Sequence, residues 1–341
     1  MKQITFQDFF PQGTEITNIR RQIQENRFVH AVLISGEPGV GKKTLAGLIA
    51  RTVLCSADHD RPCGICDSCR LMEAGEHPDQ ILIQKGIPLS AETKKGRSTI
   101  PVSDIREMIR MCSRYAYKSN SRVVMIPEAE DMTTQAQNCL LKILEEPPGQ
   151  TFFILTTSKP SEILITIKSR CRPVKLVPWE TDYIRKLLVE SGVSESRANA
   201  AAASSGGSIG RAFTLAADDD YWNNRNEIIH SFFQTSSRSE VLRVSNGWKE
   251  RKTDAEMLFS VLENAVHILL ESRLYDTTQS NLQDFSGEWI QFSRNAEMER
   301  FSFLLDSISQ ARKQFTFNVN FQAVFEQLYL VFIGECAKWA K

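Results

Sequence analysis

Charge of one sign is the first thing this 341-residue chain lacks: Lys plus Arg and Asp plus Glu both number 41. A balanced chain has no bulk electrostatic reason to coat nucleic acid, so any grip on phosphate must be local. Long hydrophobic runs are also missing. No stretch suffices to cross a bilayer and Met1-Lys2-Gln3 opens no cleavable apolar leader, so no membrane role and a cytoplasmic location are expected. In a reducing compartment eight cysteines argue for metal ligation before disulfides, since four of them crowd into one short stretch. The length exceeds that of one typical domain, and two or three are expected.

A third deficit is chemical. The stretch Leu33-Ile34-Ser35-Gly36-Glu37-Pro38-Gly39-Val40-Gly41-Lys42-Lys43-Thr44-Leu45 reads as a buried strand, a glycine-rich turn and the start of a helix. Gly36, Gly39 and Gly41 let backbone N–H groups approach phosphate oxygens, the helix N-terminus adds a favourable dipole, and Lys42 brings a charge that reaches terminal phosphates. The alternative is an unrelated glycine turn. A P-loop wants Ser or Thr directly after its lysine, to hold Mg²⁺, and Lys43 stands there. Thr44 comes one residue late, which on a helix turns its hydroxyl by about 100° away from the metal. The same deficit recurs after Val123-Val124-Met125-Ile126. A nucleotide hydrolase of this type ends that strand with Asp for Mg²⁺ and then Glu to activate water; here Pro127 precedes Glu128. With both anchors gone, Mg²⁺ is not held in the geometry that phosphoryl transfer needs.

Short apolar runs alternate with helical segments up to about residue 177. Expected strands are Ala31 to Ser35, Gln80 to Gln84, Arg122 to Ile126, Phe152 to Thr156 and Val174 to Leu176. Expected helices lie near Glu15 to Glu25, Lys43 to Cys55, Ser103 to Tyr115, Thr134 to Glu145 and Pro160 to Lys168. Such alternation predicts an α/β domain over 1–177 with a mainly parallel sheet and a ligand site at the strand carboxyl ends. Within it, the insertion 55–69 carries Cys55, Cys63, Cys66 and Cys69, the last three as Cys-x2-Cys-x2-Cys. Four soft ligands so close suit a closed, structural Zn²⁺ site. A reduced surface loop, or His59 in place of Cys55, are the alternatives. On the Ser103–Tyr115 helix, Ile105, Met108, Ile109 and Cys112 form an apolar face, while Arg106, Arg110 and Arg114 follow at i+4. That basic stripe is either a track for DNA phosphates or a solvated face.

The order of motifs carries a resemblance. His30-Ala31, the P-loop, the cysteine cluster, Gly75-Glu76-His77-Pro78-Asp79, the run Asn138-Cys139-Leu140-Leu141-Lys142-Ile143-Leu144-Glu145-Glu146-Pro147-Pro148 and Ser169-Arg170-Cys171 together resemble the AAA+ clamp-loader subunits of bacterial DNA polymerase III. The similarity is dense from Arg27 to Leu176 and thin beyond. It implies an AAA+ domain, a place in the DNA polymerase III holoenzyme, and partners in the gamma/tau ATPases, the delta subunit, the sliding clamp and primed DNA. It also implies roles. Arg170 matches an arginine finger acting in trans on ATP of a neighbouring subunit, Thr156 or Thr157 a sensor at the γ-phosphate, and Arg211 of Gly207-Ser208-Ile209-Gly210-Arg211 a second sensor. For Arg170 the alternative is an interface salt bridge. The eroded metal positions favour a non-hydrolysing member, with ATP or ADP bound, if at all, without productive Mg²⁺; the alternative is an active gamma/tau-like motor.

From Pro178 onward the pattern is helical. Glu180 to Ser191, a segment Glu195 to Ser204 capped by Ser194, and a helix after Gly206-Gly207 make a small lid over 178–216. Over 217–341 three broad apolar stripes follow: Met257 to Leu269, Met298 to Ile308, and Phe321 to Phe332. They are read mainly as intramolecular core, with part of the surface left for other chains. The resemblance implies a collar built from such helices, with Asn318-Val319-Asn320 as a family signature. The five Trp form no interpretable arrangement.

Overall fold

The computed structural model describes residues 4–91, 96–234, 241–248, 251, 254–275, 282, 284–317 and 319–338; Asn318 and Trp339 lie outside them. The chain forms two compact units: Met1–Glu180 with Gly207–Gly210, and Thr181–Gly206 with Arg211–Lys341.

The first unit is built on five parallel strands, β1 (Ala31–Ser35), β2 (Gln80–Leu82), β3 (Arg122–Ile126), β4 (Thr151–Thr157) and β5 (Arg172–Lys175), in the order β2-β3-β4-β1-β5. The central strands are nearly continuous apolar runs buried along their length, as a sheet covered on both faces requires. Pro173 lies in β5, an edge strand, where its missing N–H breaks no ladder. The first helices are α1 (Thr14–Gln24), α2 (Lys42–Leu54), α3 (Asp67–Ala74), α4 (Val102–Cys112), α5 (Thr134–Glu145) and α6 (Ile165–Lys168). α4 buries Ile105, Met108 and Cys112, and α5 buries Leu140, Ile143 and Leu144, into the same core.

Where expectation and structure part, a hydrogen bond gives the reason. α4 stops at Cys112 instead of Tyr115 because the Arg122 guanidinium takes the carbonyls of Met111, Arg114 and Tyr115 at 2.8, 2.8 and 3.0 Å. β2 ends at Leu82, and Gln84 turns back to bridge Ile87 in the antiparallel sense.

The second unit is helical. It contains α7 (Thr181–Glu190), α8 (Glu195–Ser204), α9 (Ile209–Ala217, whose first two residues fall in the first unit), α10 (Asp219–Ile229), α11 (Val241–Trp248), α12 (Ala255–Tyr275), α13 (Gly287–Asn295), α14 (Met298–Thr316) and α15 (Phe321–Cys336). The three apolar stripes mostly meet inside one core. Phe232 sits edge-on to Phe325, Tyr329 and Phe332 at 5.3, 5.2 and 5.4 Å, a geometry that adds to simple burial. Trp248 stacks on Phe325, and Trp289 packs against Phe233 and Phe292. Phe303, Phe317 and Leu330 remain outward. No helix among the described residues is long and apolar enough to cross a membrane.

Candidate functional site

The cradle lies at the carboxyl end of β1. Gly36 is required by close approach: a Cβ there would stand 2.6 Å from the Leu176 carbonyl oxygen. The Trp179 indole N–H donates to the Val40 carbonyl at 2.9 Å, and Phe9 packs on Trp179. Behind the loop, the Gly210 N–H donates to the Gly39 carbonyl at 2.9 Å, while Gly207, at φ 80°, lies against Pro178 where a Cβ would clash at 2.5 Å. So Gly207–Gly210 braces the loop. Arg211, the next residue, belongs to the second unit.

Lys42 turns inward. It is 7% exposed, and its ammonium donates to the carbonyls of Gly36 at 2.8 Å and Glu37 at 2.7 Å and to the Ser158 hydroxyl at 2.8 Å. Burial pushes its pKa down. Lys43 points elsewhere: its ammonium is 3.1 Å from one Glu128 oxygen. Lys85 stands 3.4 Å from the other and 2.9 Å from Asp131. The Lys43 hydrogen bond, outweighing partial burial and reinforced by the Lys43 and Lys85 charges, holds the Glu128 carboxyl below its ordinary range. The residue in the metal ligand's place thus neutralises the residue in the base's place. Pro127 follows the last residue of β3, and Thr44 is exposed on α2.

At the end of β4 both threonines are buried. The Thr156 hydroxyl accepts from the Glu128 N–H at 3.3 Å, and the Thr157 carbonyl accepts from the Gly36 N–H at 3.3 Å. The side chain that reaches Lys42 belongs to Ser158, which sequence reading passed over. Its adjacency to Thr156-Thr157 was the available signal; Lys85 offered none. Ser158 is fixed in turn by its N–H donating to Glu130 Oε1 at 2.9 Å.

Arg170 lies just past α6 and is 32% exposed at its side chain. Its Nε donates to Glu145 Oε1 at 2.8 Å, its terminal nitrogen pairs with the same oxygen, and it also donates to the Thr166 carbonyl at 2.9 Å. Glu145 ends α5, inside the leucine-rich run. On α4, Arg106 and Arg110 are exposed, Arg110 pairing with Glu107, and Arg114 lies beyond the helix end.

The four cysteines converge. Their sulfurs all lie within 4.8 Å of one another, with Cys55 Sγ 3.6 Å from Cys63 Sγ and 3.9 Å from Cys66 Sγ. A tetrahedron with Zn–S near 2.3 Å has edges of about 3.8 Å, so the donor set fits zinc. Backbone N–H groups of Cys63, Cys66 and Cys69 point at the sulfurs of Cys55, Cys63 and Cys66, each at 3.4 Å, which favours thiolates. For Cys66, burial opposes ionisation, yet hydrogen bonds from Ser56 and Cys69 bring the thiol down to about 6. His59 is exposed and outside this group.

Comparison with known proteins gives one family. The family described as "DNA polymerase III, delta subunit" matches residues 12–180. The DNA polymerase III subunit delta' of Bacillus subtilis is 27% identical over 91% of this chain and 92% of its own length. That of Escherichia coli is 36% identical over 58% of each chain. The DNA polymerase III subunit tau of Salmonella typhimurium is 33% identical over 54% of this chain but only 27% of its own length. The motifs around the cradle, the cysteine cluster and Ser169-Arg170-Cys171 all fall inside the matched residues, and the chain belongs to the family of bacterial DNA polymerase III delta-prime subunits.

Proposed function

We propose that this chain is a non-hydrolysing subunit of the DNA polymerase III clamp loader. It joins gamma/tau and delta subunits in a ring and presents Arg170 to ATP bound by its neighbour, so that a sliding clamp is loaded onto primed DNA. In this reading 178–216 acts as a helical lid and 217–341 as the collar. Thr156 and Thr157 border a degenerate nucleotide pocket, Arg211 matches the second sensor that the resemblance implies, and Cys55, Cys63, Cys66 and Cys69 hold a structural zinc ion. One observation carries the reading: the Lys43 ammonium 3.1 Å from Glu128, with Pro127 where a carboxylate is needed. A carboxylate paired with two ammonium groups and held below its ordinary range is a weaker general base. Arg170, meanwhile, is anchored by Glu145 at the surface, where a guanidinium supplied in trans must stand.

The retained Lys42 and Glu128 favour the competing motor reading, and the two separate on turnover. The isolated protein is expected to show no Mg²⁺-dependent ATP hydrolysis above background. A turnover abolished by Lys42→Ala would establish the motor instead. In the assembled complex, Arg170→Ala is expected to leave assembly intact and lower DNA-stimulated ATP hydrolysis at the neighbouring site by about 10³-fold or more, the scale of arginine fingers elsewhere. An unaffected rate would leave Arg170 as an interface ion-pair residue only.

A further inference from the structure

We infer that Glu145 is the positioning residue of the arginine finger: it holds the Arg170 guanidinium in the presented rotamer before the neighbouring subunit's ATP arrives. The inference rests on the reading of Arg170 as a finger that acts in trans.

Placement comes first. Arg170 precedes β5, whose first residue pairs with Val32 near the start of β1, so it stands toward the amino ends of the strands, while this chain's own cradle stands at their carboxyl ends. A guanidinium there serves something other than the cradle beside β1. Both partners of the ion pair sit on backbone that the core has already fixed. Ile143 and Leu144 of α5 are buried in one cluster with Ile167 and Cys171 on either side of Arg170, and the Leu144 carbonyl, in the last turn of α5, accepts from His30 Nε2 at 2.9 Å. Carboxylate and guanidinium therefore meet without any rearrangement of the fold.

The use of donors comes second. A guanidinium has five N–H groups in a rigid fork. Glu145 Oε1 accepts from Nε at 2.8 Å and from Nη2, and the Thr166 carbonyl accepts from Nη1 at 2.9 Å. Each terminal nitrogen keeps a second N–H, against which the Ser169 hydroxyl, 3.5 Å from Nη1, is a weak competitor. Two such donors side by side suit the oxygens of a phosphate.

The third observation is that stability does not explain the carboxylate. The side chains of Arg170 and Glu145 are 32% and 49% exposed, and a pair so open to water and salt adds little to folding. Glu145 also closes α5, where its charge meets the negative end of the helix dipole. What the pair does supply is orientation. An arginine on a freely turning stem points away from an incoming phosphate in most of its rotamers, and fixing it beforehand removes that entropy from the barrier.

ATP hydrolysis at the neighbouring site, measured in assembled clamp loaders whose other ATPase sites are silenced, tests this. Glu145→Ala is expected to lower kcat roughly tenfold, the scale of the rotamer freedom that a released arginine regains, with KM for ATP nearly unchanged, because a finger acts in the transition state. Glu145→Gln keeps an oxygen acceptor and should recover most of the rate. Glu146→Ala removes the adjacent charge from the same helix end and is expected to change neither constant. The double variant Glu145→Ala, Arg170→Ala should be no slower than Arg170→Ala alone. Glu145 is exposed, so its variants are expected to fold and assemble, with sedimentation of the complex as the check. If Arg170→Ala cuts the rate while Glu145→Ala leaves kcat unchanged or raises it, the inference is overturned and the finger stands. Additive losses in the double variant, or an equal loss in Glu146→Ala, would also overturn it, since either marks a general structural effect. An unaffected rate in Arg170→Ala would bring down the finger reading and this inference together.

Discussion

Asp79 fixes the loop after α4 although it lies some forty residues upstream in the chain. Fully buried, it accepts the backbone N–H groups of Tyr117, Lys118 and Ser119, the last two at 2.8 and 2.7 Å, and His77 Nδ1 accepts its own N–H at 3.1 Å. Burial alone would raise the carboxyl's pKa, but the three hydrogen bonds outweigh it and hold the group below its ordinary range. A depressed folded pKa means the stabilisation is fully present above the unfolded value near ~3.9 and is lost as pH falls through the folded one. His77 acts in the same direction from higher pH, because burial lowers its pKa and protonation below about 6.5 favours the unfolded chain. Asp79→Asn is expected to destabilise the first unit by about 2–4 kcal/mol at neutral pH, since buried N–H groups lose a charged acceptor. Urea midpoints across pH should show the gap between variant and wild type narrowing below about 4; a gap that stays constant would remove the carboxylate from the argument. Gly75-Glu76-His77-Pro78-Asp79 was legible as a signature, but not this job, because the partners sit at Tyr117 to Ser119 and no local pattern links them. The same distance hid Glu145 as the partner of Arg170 and Lys85 as a partner of Glu128. Residues that stand in a local motif were readable; those that hold them in place from a distance were not.

Elements were legible in proportion to how completely the sheet buries them. The expected Ala31–Ser35, Arg122–Ile126 and Thr134–Glu145 match the structure residue for residue, since a central strand or a core-facing helix has its pattern imposed along its whole length. Edge strands slipped. β5 begins two residues before the expected Val174, taking in Arg172 and Pro173, because an edge tolerates residues that a ladder on both sides would reject. The Cys55–Cys69 segment is a different kind of element. It joins α2 to α3, buries Cys55 and Cys69 and little else between them, and so has almost no apolar core of its own. A bound ion is what would order it. Freshly purified protein is expected to carry about one zinc per chain, with Cys66→Ser losing it and chelation lowering the melting temperature of the first unit. Because thiolates and not thiols bind, retention should weaken as the medium is made acidic. Metal content under a tenth of an equivalent would retire the site.

At the scale of the whole molecule the decisive quantity is charge balance. With 41 residues of each sign the chain cannot bind DNA through its overall field, so the isolated protein is expected to bind weakly at physiological salt. The assembled complex is another matter, because a local stripe can be added to those of other subunits. Arg106 and Arg110 stand one turn apart on the exposed face of α4, and Arg114 continues from the loop that Arg122 ties down. Their opposite face, Ile105, Met108 and Cys112, is consumed by the core, so the helix has no freedom to turn the arginines away. Glu107 weakens the stripe by pairing with Arg110 at the surface, a contact that salt readily screens. If all three arginines meet phosphate, replacing them with Ala should reduce the salt slope of DNA binding by the assembled complex by up to ~2.7, at about 0.9 per phosphate contact on duplex DNA. A partial loss would count the arginines that reach the backbone, with Arg114 the first to be absent if the loop faces away. An unchanged slope, measured with ring assembly intact, would make the stripe a solvated face whose cations serve solubility and nothing more.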